Sequence, residues 1–219
     1  MALFILFGSS KAQAFDFSLL VGYGSKKIVA ENEAGGSGTF LSEPSFNQMG
    51  VMLGHQSSKN WNFFFQFKNK SYAFNDQDMF LDQINEVTLR EGEFGVDWIP
   101  FRYSKFSLAL KQNEEIFLEV ESGLAVLETE KLTLLQLGWS QYLYISGNIG
   151  LGLLVDYSPG VSGDDISNRT SLVYGSFFSF RTKGWGALTL SYHSAKVQKS
   201  FDNLQLEEAN KTTELKWTL

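Results

Sequence analysis

Along most of the chain, apolar and polar residues alternate one by one. Trp61, Phe63, Phe65 and Phe67 share one parity, with Asn62, Gln66 and Lys68 on the other. The same alternation runs through Phe15, Phe17, Leu19, Val21 and Tyr23, and through Phe106, Leu108 and Leu110. It returns at Ile149, Leu151, Leu153, Val155 and Tyr157, at Leu172, Tyr174, Phe178 and Phe180, and at Leu188, Leu190 and Tyr192. The chain ends on Thr213, Leu215, Trp217 and Leu219 against Glu214, Lys216 and Thr218. Strict alternation over segments of about ten residues predicts β-strands whose two faces meet different solvents. In Val87, Leu89, Phe94, Val96 and Trp98 the parity slips at Glu91-Gly92-Glu93, which predicts a β-bulge.

A soluble sandwich also alternates, so the ends of the segments matter. Tyr23, Trp61, Trp98, Tyr157, Trp185 and Trp217 lie at or near segment ends, as interfacial aromatic girdles do in membrane barrels. Connection lengths alternate too. Residues 26–44, 71–83, 158–168 and 200–210 form longer polar links, while 56–60, 99–103, 140–141 and 182–184 form short ones. Long surface loops on one side and short turns on the other are the pattern of an outer-membrane barrel. The fold predicted is all-β: an antiparallel up-and-down transmembrane β-barrel over residues 15–219, with about ten strands and twelve as the alternative. The choice turns on residues 103–139, read either as one long hairpin turning near Ser122-Gly123 or as two hairpins.

With the apolar parity outward, the inward positions include the acids Asp16, Glu86, Asp97, Asp156 and Glu214. They also include the bases Lys68, Arg90, Lys111, Arg181 and Lys216. Charges held in a narrow interior must be paired or cost several kcal/mol each. Such a set predicts a lumen crossed by ion pairs and closed. The formal charge of −6 then resides in connections such as Asp76, Asp78 and Asp82, or Asp164 and Asp165. A solvated sandwich face of mixed charge is the competing reading. A lipocalin-like soluble barrel would instead line its interior with apolar groups.

Composition narrows the classes further. The chain has no cysteine, which removes disulfides, zinc–thiolate sites and thiol nucleophiles. Twenty Gly, twenty Phe and eight Tyr with three Pro suit a β-rich chain with tight turns. The acidic balance argues against nucleic acid as a partner. At the start, apolar residues 2–7 and the small-x-small triplet Ala12-Gln13-Ala14 read as a secretory signal peptide over residues 1–14, although no Lys or Arg precedes the apolar run. The alternative there is a buried N-terminal strand.

The chain resembles the small outer-membrane β-barrel proteins of Gram-negative bacteria, the OmpA/OmpX-like class. The residues that carry the resemblance are the signal-like start running straight into a strand and the final "TELKWTL". Members of that class usually end in an alternating strand with a last aromatic residue; here Trp217 stands near the end and Leu219 is last. The resemblance implies the bacterial outer membrane as location and its lipid and lipopolysaccharide as partners, with a protein partner at the extracellular loops.

Catalytic chemistry has only weak candidates. His193 with Ser191 or Ser194, and His55 with Ser57 or Ser58, could form a Ser–His pair, with Asp202, Glu207 or Glu208 as third member. A lumen histidine held by hydroxyls is the simpler reading. No calcium-loop spacing is present and no cofactor is implied. The expected role is structural, adhesive or surface-interacting, with a narrow passive channel or a lipid-modifying enzyme as alternatives.

The central hairpin comes nearest to a function. A lipid belt needs about nine to eleven tilted residues, so both strands overshoot it. Glu114 should face Lys131 just above the lipid, and beyond them Ile116, Phe117, Leu118, Val120, Leu124 and Val126 should form an apolar interaction tip. Mass spectrometry of the exported protein should find cleavage after Ala14, leaving Phe15 first; retained upstream residues would refute the signal-peptide reading.

Overall fold

The protein was studied as a computed structural model, which describes residues 15–32, 40–42, 44–73, 86–101, 103–121, 124–159, 168–182, 184–201 and 204–219. Residues 1–14, where a signal peptide is expected, and the acidic residues Asp76, Asp78, Asp82, Asp164 and Asp165 lie outside them. The strands are β1 (Phe15–Asn32), β2 (Phe40–Ser42), β3 (Ser45–Ser58), β4 (Trp61–Ala73), β5 (Glu86–Phe101) and β6 (Ser104–Glu121). They continue with β7 (Leu124–Ser146), β8 (Ile149–Ser158), β9 (Asn168–Thr182), β10 (Gly186–Phe201) and β11 (Leu204–Thr218).

Each long strand pairs antiparallel with the next, and β11 pairs with β1, from Ser18↔Thr218 to Asn32↔Leu204. Ten strands therefore close into an up-and-down barrel, and the short β2 only adds to the rim of β1. The start of β1 and the end of β11 sit on the short-turn side, which in such barrels is periplasmic. Two of those turns depend on glycines at positive φ, Gly147 (56°) and Gly184 (87°), a region costly for other residues.

The segment 103–139 is one hairpin, as the ten-strand reading requires. β6 and β7 pair continuously from Ser104↔Gln141 to Glu121↔Leu124. The neighbours stop earlier: β5 leaves β6 at Glu91↔Asn113, and β8 leaves β7 at Leu137↔Tyr157. Residues 114–121 and 124–131 thus have only each other as strand partners among the described residues, and they project beyond the wall.

The barrel has two exteriors. Lower down, the outer face is lipid-like: Leu19, Val21, Phe63, Phe65, Phe94, Leu108, Leu137, Leu151 and Leu190 are all exposed. Tryptophans ring the turn end, with Trp61 stacked on Trp98 at 6.3 Å and Trp217 Nε1 donating to the Trp185 carbonyl at 2.7 Å. Exposed Tyr23, Tyr157, Tyr174 and Tyr192 mark the other edge. Above that edge the outer face becomes polar and the apolar residues turn inward. Ile28, Leu132, Leu134 and Val197 are buried, and Phe46, Tyr72 and Leu89 form an internal cluster.

This inversion corrects two expectations. No bulge lies at Glu91-Gly92-Glu93, because β4 and β5 keep one register from Trp61↔Trp98 to Ala73↔Glu86. The parity changes because the outer solvent changes from lipid to water, so buried Leu89 faces in and Arg90 is exposed. A register shift falls instead between Tyr142 and Tyr144. It lets β7 run on to Ser146, so the predicted turn at 140–141 is strand. Likewise β1, β10 and β11 extend far into the stretches read as loops at 26–44 and 200–210.

Leu108→Arg, on the lipid face of β6, should destabilise the inserted barrel by about 2–4 kcal/mol. Reversible urea unfolding in phospholipid vesicles measures this; an unchanged midpoint would mean that the face meets water.

Candidate functional site: a charged lumen

Inward positions of the strands line a cavity of about 730 Å3. Asp16, Gln56 and Tyr103 line it at the turn end, and Lys26, Arg169 and Glu208 at the loop end. Close strand approaches clear space for the larger groups. A side chain at Gly24 would collide with the Phe46 ring, and one at Gly50 with Lys68 and the Phe67 carbonyl.

The highest tier is a chain of buried charges from five strands. Arg169 on β9 and Lys199 on β10 lie directly opposite one another, a repulsive cross-strand pair by itself. Glu115, reaching over from β6 on the other wall, resolves it. Arg169 forks onto the Glu115 carboxylate, with Nε to Oε2 at 3.1 Å and Nη2 to Oε1, and Lys199 Nζ lies 2.8 Å from Oε2. Lys199 also binds Glu208 of β11 at 2.8 Å, and Glu208 binds Lys26 of β1 at 2.8 Å. Lys26 stands 5.6 Å over the Tyr72 ring, which joins the network to the apolar cluster. Lys199 is 1% exposed, so its charge rests on these two carboxylates rather than on water.

Below it lies a second tier. Glu91 accepts from Lys70 at 2.8 Å and sits 2.9 Å from Lys111, joining β4, β5 and β6. Glu214 on β11 accepts from Lys68 of β4 at 2.6 Å and from Gln48 of β3 at 2.8 Å. The lowest tier is looser. Asp97 accepts from Ser107 at 2.7 Å and from Lys105 and Asn62, each at 3.3 Å. Lys216 donates to the Met52 thioether at 3.0 Å.

Of the lumen residues named from sequence, Lys68 and Glu214 meet each other, Lys111 meets Glu91, and Asp97 meets Lys105. Asp16, Asp156 and Lys216 also line the cavity, without an ion pair among the described residues. Arg181 shares the inward parity of β9 but is exposed beside the short turn. Arg90 is exposed and alternates with buried Leu89 and Glu91, and it also borders the cavity. Glu86 has its backbone opposite Ala73, and its side chain lies outside the described set. Glu114 does face Lys131, in register and at 3.9 Å. Ile116, Phe117, Leu118, Val120, Leu124 and Val126 lie in the projecting hairpin by backbone pairing, and their side chains are outside the described set.

The strongest groups, Lys26, Glu91, Glu115, Arg169, Lys199 and Glu208, were missed because they lie above the lipid edge. There the apolar residues no longer mark the outside. Ile28 beside Lys26, or Val197 beside Lys199, carries the signal once the inversion is recognised.

Neither Glu207 nor Glu208 joins His193 and Ser191, and Asp202 lies outside the described residues. His193 Nε2 lies 2.7 Å from Ser191 Oγ, and Ser191 in turn donates to the Glu214 carbonyl at 3.4 Å. Glu208 belongs to the upper tier, and Glu207 lies outside near Lys196.

No family model and no curated protein matches the chain. Among solved structures it is similar to the outer membrane protease OmpT from Escherichia coli, with 10% identity and a TM-score of 0.51, over 96% of this chain and 99% of that one. It is also similar to an outer membrane channel from Pseudomonas putida F1, with 7% identity and a TM-score of 0.50, over 96% and 97%. The fold is that of a bacterial outer-membrane β-barrel. At these identities the likeness concerns architecture alone, and it spans a protease and a channel.

Glu208→Gln should cost about 3–5 kcal/mol, because it leaves buried Lys26 without its carboxylate. Adding Lys26→Met should recover part of that loss, because the uncompensated cation is then gone. Unfolding midpoints of the single and double variants check the coupling; strictly additive losses would show that the tier does not act as a unit.

Proposed function

We propose that the protein is a non-enzymatic, integral outer-membrane barrel with a closed lumen, whose β6–β7 hairpin serves as a surface-interaction arm. One observation carries this reading: the hairpin outgrows the wall on both sides while Glu115, at its base, is bound by Arg169 and Lys199 across the interior. A strand pair anchored in this way presents its far end as a fixed surface. The apolar sequence of the tip suits a partner that buries it, and the charged rung Glu114–Lys131 separates it from the lipid belt.

A narrow passive channel is the second reading. The cavity of about 730 Å3 and the loosely partnered Asp156 and Lys216 favour it for the lower half of the lumen. Against it stand the two chords higher up, Glu115 to the β9–β10 wall and Lys68 to Glu214. The two readings differ in conductance.

In planar bilayers the wild-type barrel should show no steady large conductance, and Glu115→Ala combined with Lys68→Ala should raise open events. Stable wild-type conductance would favour the channel. For the arm, Glu substitutions at Leu118 and Val126 should leave heat-modifiable barrel assembly intact and reduce capture of surface partners. Loss of assembly would place those residues in lipid and remove the arm.

A further inference from the structure

Lys216 is the inward cation that the ion-pair tiers leave aside. Among the described residues it has no ion pair, and its ammonium donates to the Met52 thioether at 3.0 Å, a weak acceptor. Glu214, two residues up the same strand, is committed to Lys68 at 2.6 Å and to Gln48 at 2.8 Å. Asp97 is held by Ser107, Lys105 and Asn62. Lys216 borders the cavity and is only partly buried, so its ammonium faces the lumen.

The wall beside it is small and polar. Backbone register sets Ser179, Thr189 and Lys216 side by side on β9, β10 and β11, one row below Phe177, Ser191 and Glu214. Thr189 also borders the cavity and brings a hydroxyl donor next to the lysine. At the far side of this wall Phe177 meets Tyr142 edge to face, with centroids 4.9 Å apart and planes at 88°. Both rings lie over glycines of β8. A side chain at Gly152 would come within 2.3 Å of the Phe177 ring, and one at Gly150 within 2.8 Å of Tyr142. The rings therefore pack back against the wall while still bordering the cavity. One row above, the Lys68–Glu214 chord crosses the lumen; toward the turn end the cavity continues to Asp16 and Gln56.

We propose that the lower lumen binds a small monocarboxylate with an apolar body, its carboxylate on Lys216 and Thr189 and its body against Phe177 and Tyr142. A carboxylate replaces the weak thioether contact with a charge-assisted bond, and the threonine hydroxyl supplies a second donor. A pocket that joins an apolar surface to a few convergent polar groups is the usual form of a small-molecule site. The site lies below the chord and inside the barrel, so it stands apart from the β6–β7 arm and agrees with a closed upper lumen.

The test is titration calorimetry on the folded barrel in phosphatidylcholine nanodiscs, with the heat from empty nanodiscs subtracted. The probes are hexanoate, hexanol and acetate. Wild-type protein should bind hexanoate saturably, at least about tenfold tighter than acetate, which lacks the apolar body, and than hexanol, which lacks the charge. Lys216→Met should weaken hexanoate at least about tenfold. Because Lys216 has no ion pair among the described residues, this change strands no carboxylate, and the barrel should fold. Phe177→Ala should weaken hexanoate and leave acetate unchanged, and exposed Lys59→Gln in the β3–β4 turn should behave as wild type. Absence of saturable hexanoate binding, or undiminished binding in Lys216→Met, would overturn the site. Acetate binding as tightly as hexanoate would overturn the apolar half of the assignment, and hexanol binding as tightly would overturn the charged half. Heat-modifiable migration of every variant reports the barrel separately, so failure of the membrane reading shows there and not in the comparison of probes.

Discussion

Within a bilayer a backbone N–H or C=O has no water to turn to, so every strand needs two neighbours. The pairing of β1 with β11 meets that demand for the whole sheet. It runs from Ser18↔Thr218 upward, and Leu219 N adds a last bond to the Phe17 carbonyl at 2.9 Å. Closure fixes an inside and an outside, which gives the alternation its meaning. It also confines the inward charges to a narrow space, where each must find a partner from another wall.

That confinement organises the lumen from top to bottom. The upper tier is buried, with Lys199 shared between two carboxylates and Arg169 forked onto one, its Nη1 without a hydrogen bond among the described residues. Buried ion pairs contribute little net stability relative to an apolar core, but breaking one is costly. Their effect is to specify geometry, and here they tie β6 to the opposite wall where β6 begins to leave its neighbour β5. Toward the turn end the partners become hydroxyls, amides and a thioether beside the Lys105–Asp97 pair.

Where one rule held along a strand, the sequence was readable. The lipid belt, the aromatic edges, the ten-strand count and the single long hairpin all follow from alternation and connection length. Reading failed where the outer solvent changed. Above the tyrosine edge an apolar residue such as Leu89 or Leu134 points inward, so a continuous strand imitates a bulge and a lumen cluster imitates a loop. One of the register shifts, between Tyr142 and Tyr144, sits in a run of four consecutive apolar residues where neither parity stands out. The ion-pair partners were the least legible part. Which inward charges meet depends on chords such as Lys68 to Glu214, set by barrel closure and not by distance along the chain.

The seam between the two ends of the chain also governs how the barrel forms. Ser18 and Thr218, joined at 2.9 Å, are 200 positions apart, whereas the other neighbouring long strands are joined by comparatively short links. Hairpins of local contacts can assemble as soon as both strands are present, but the seam has a high contact order and a large loop-closure cost. Until it zips, the free edges of β1 and β11 are open to strand pairing with other chains. The slow, vulnerable step in the life of this protein is therefore the meeting of its first strand with its last.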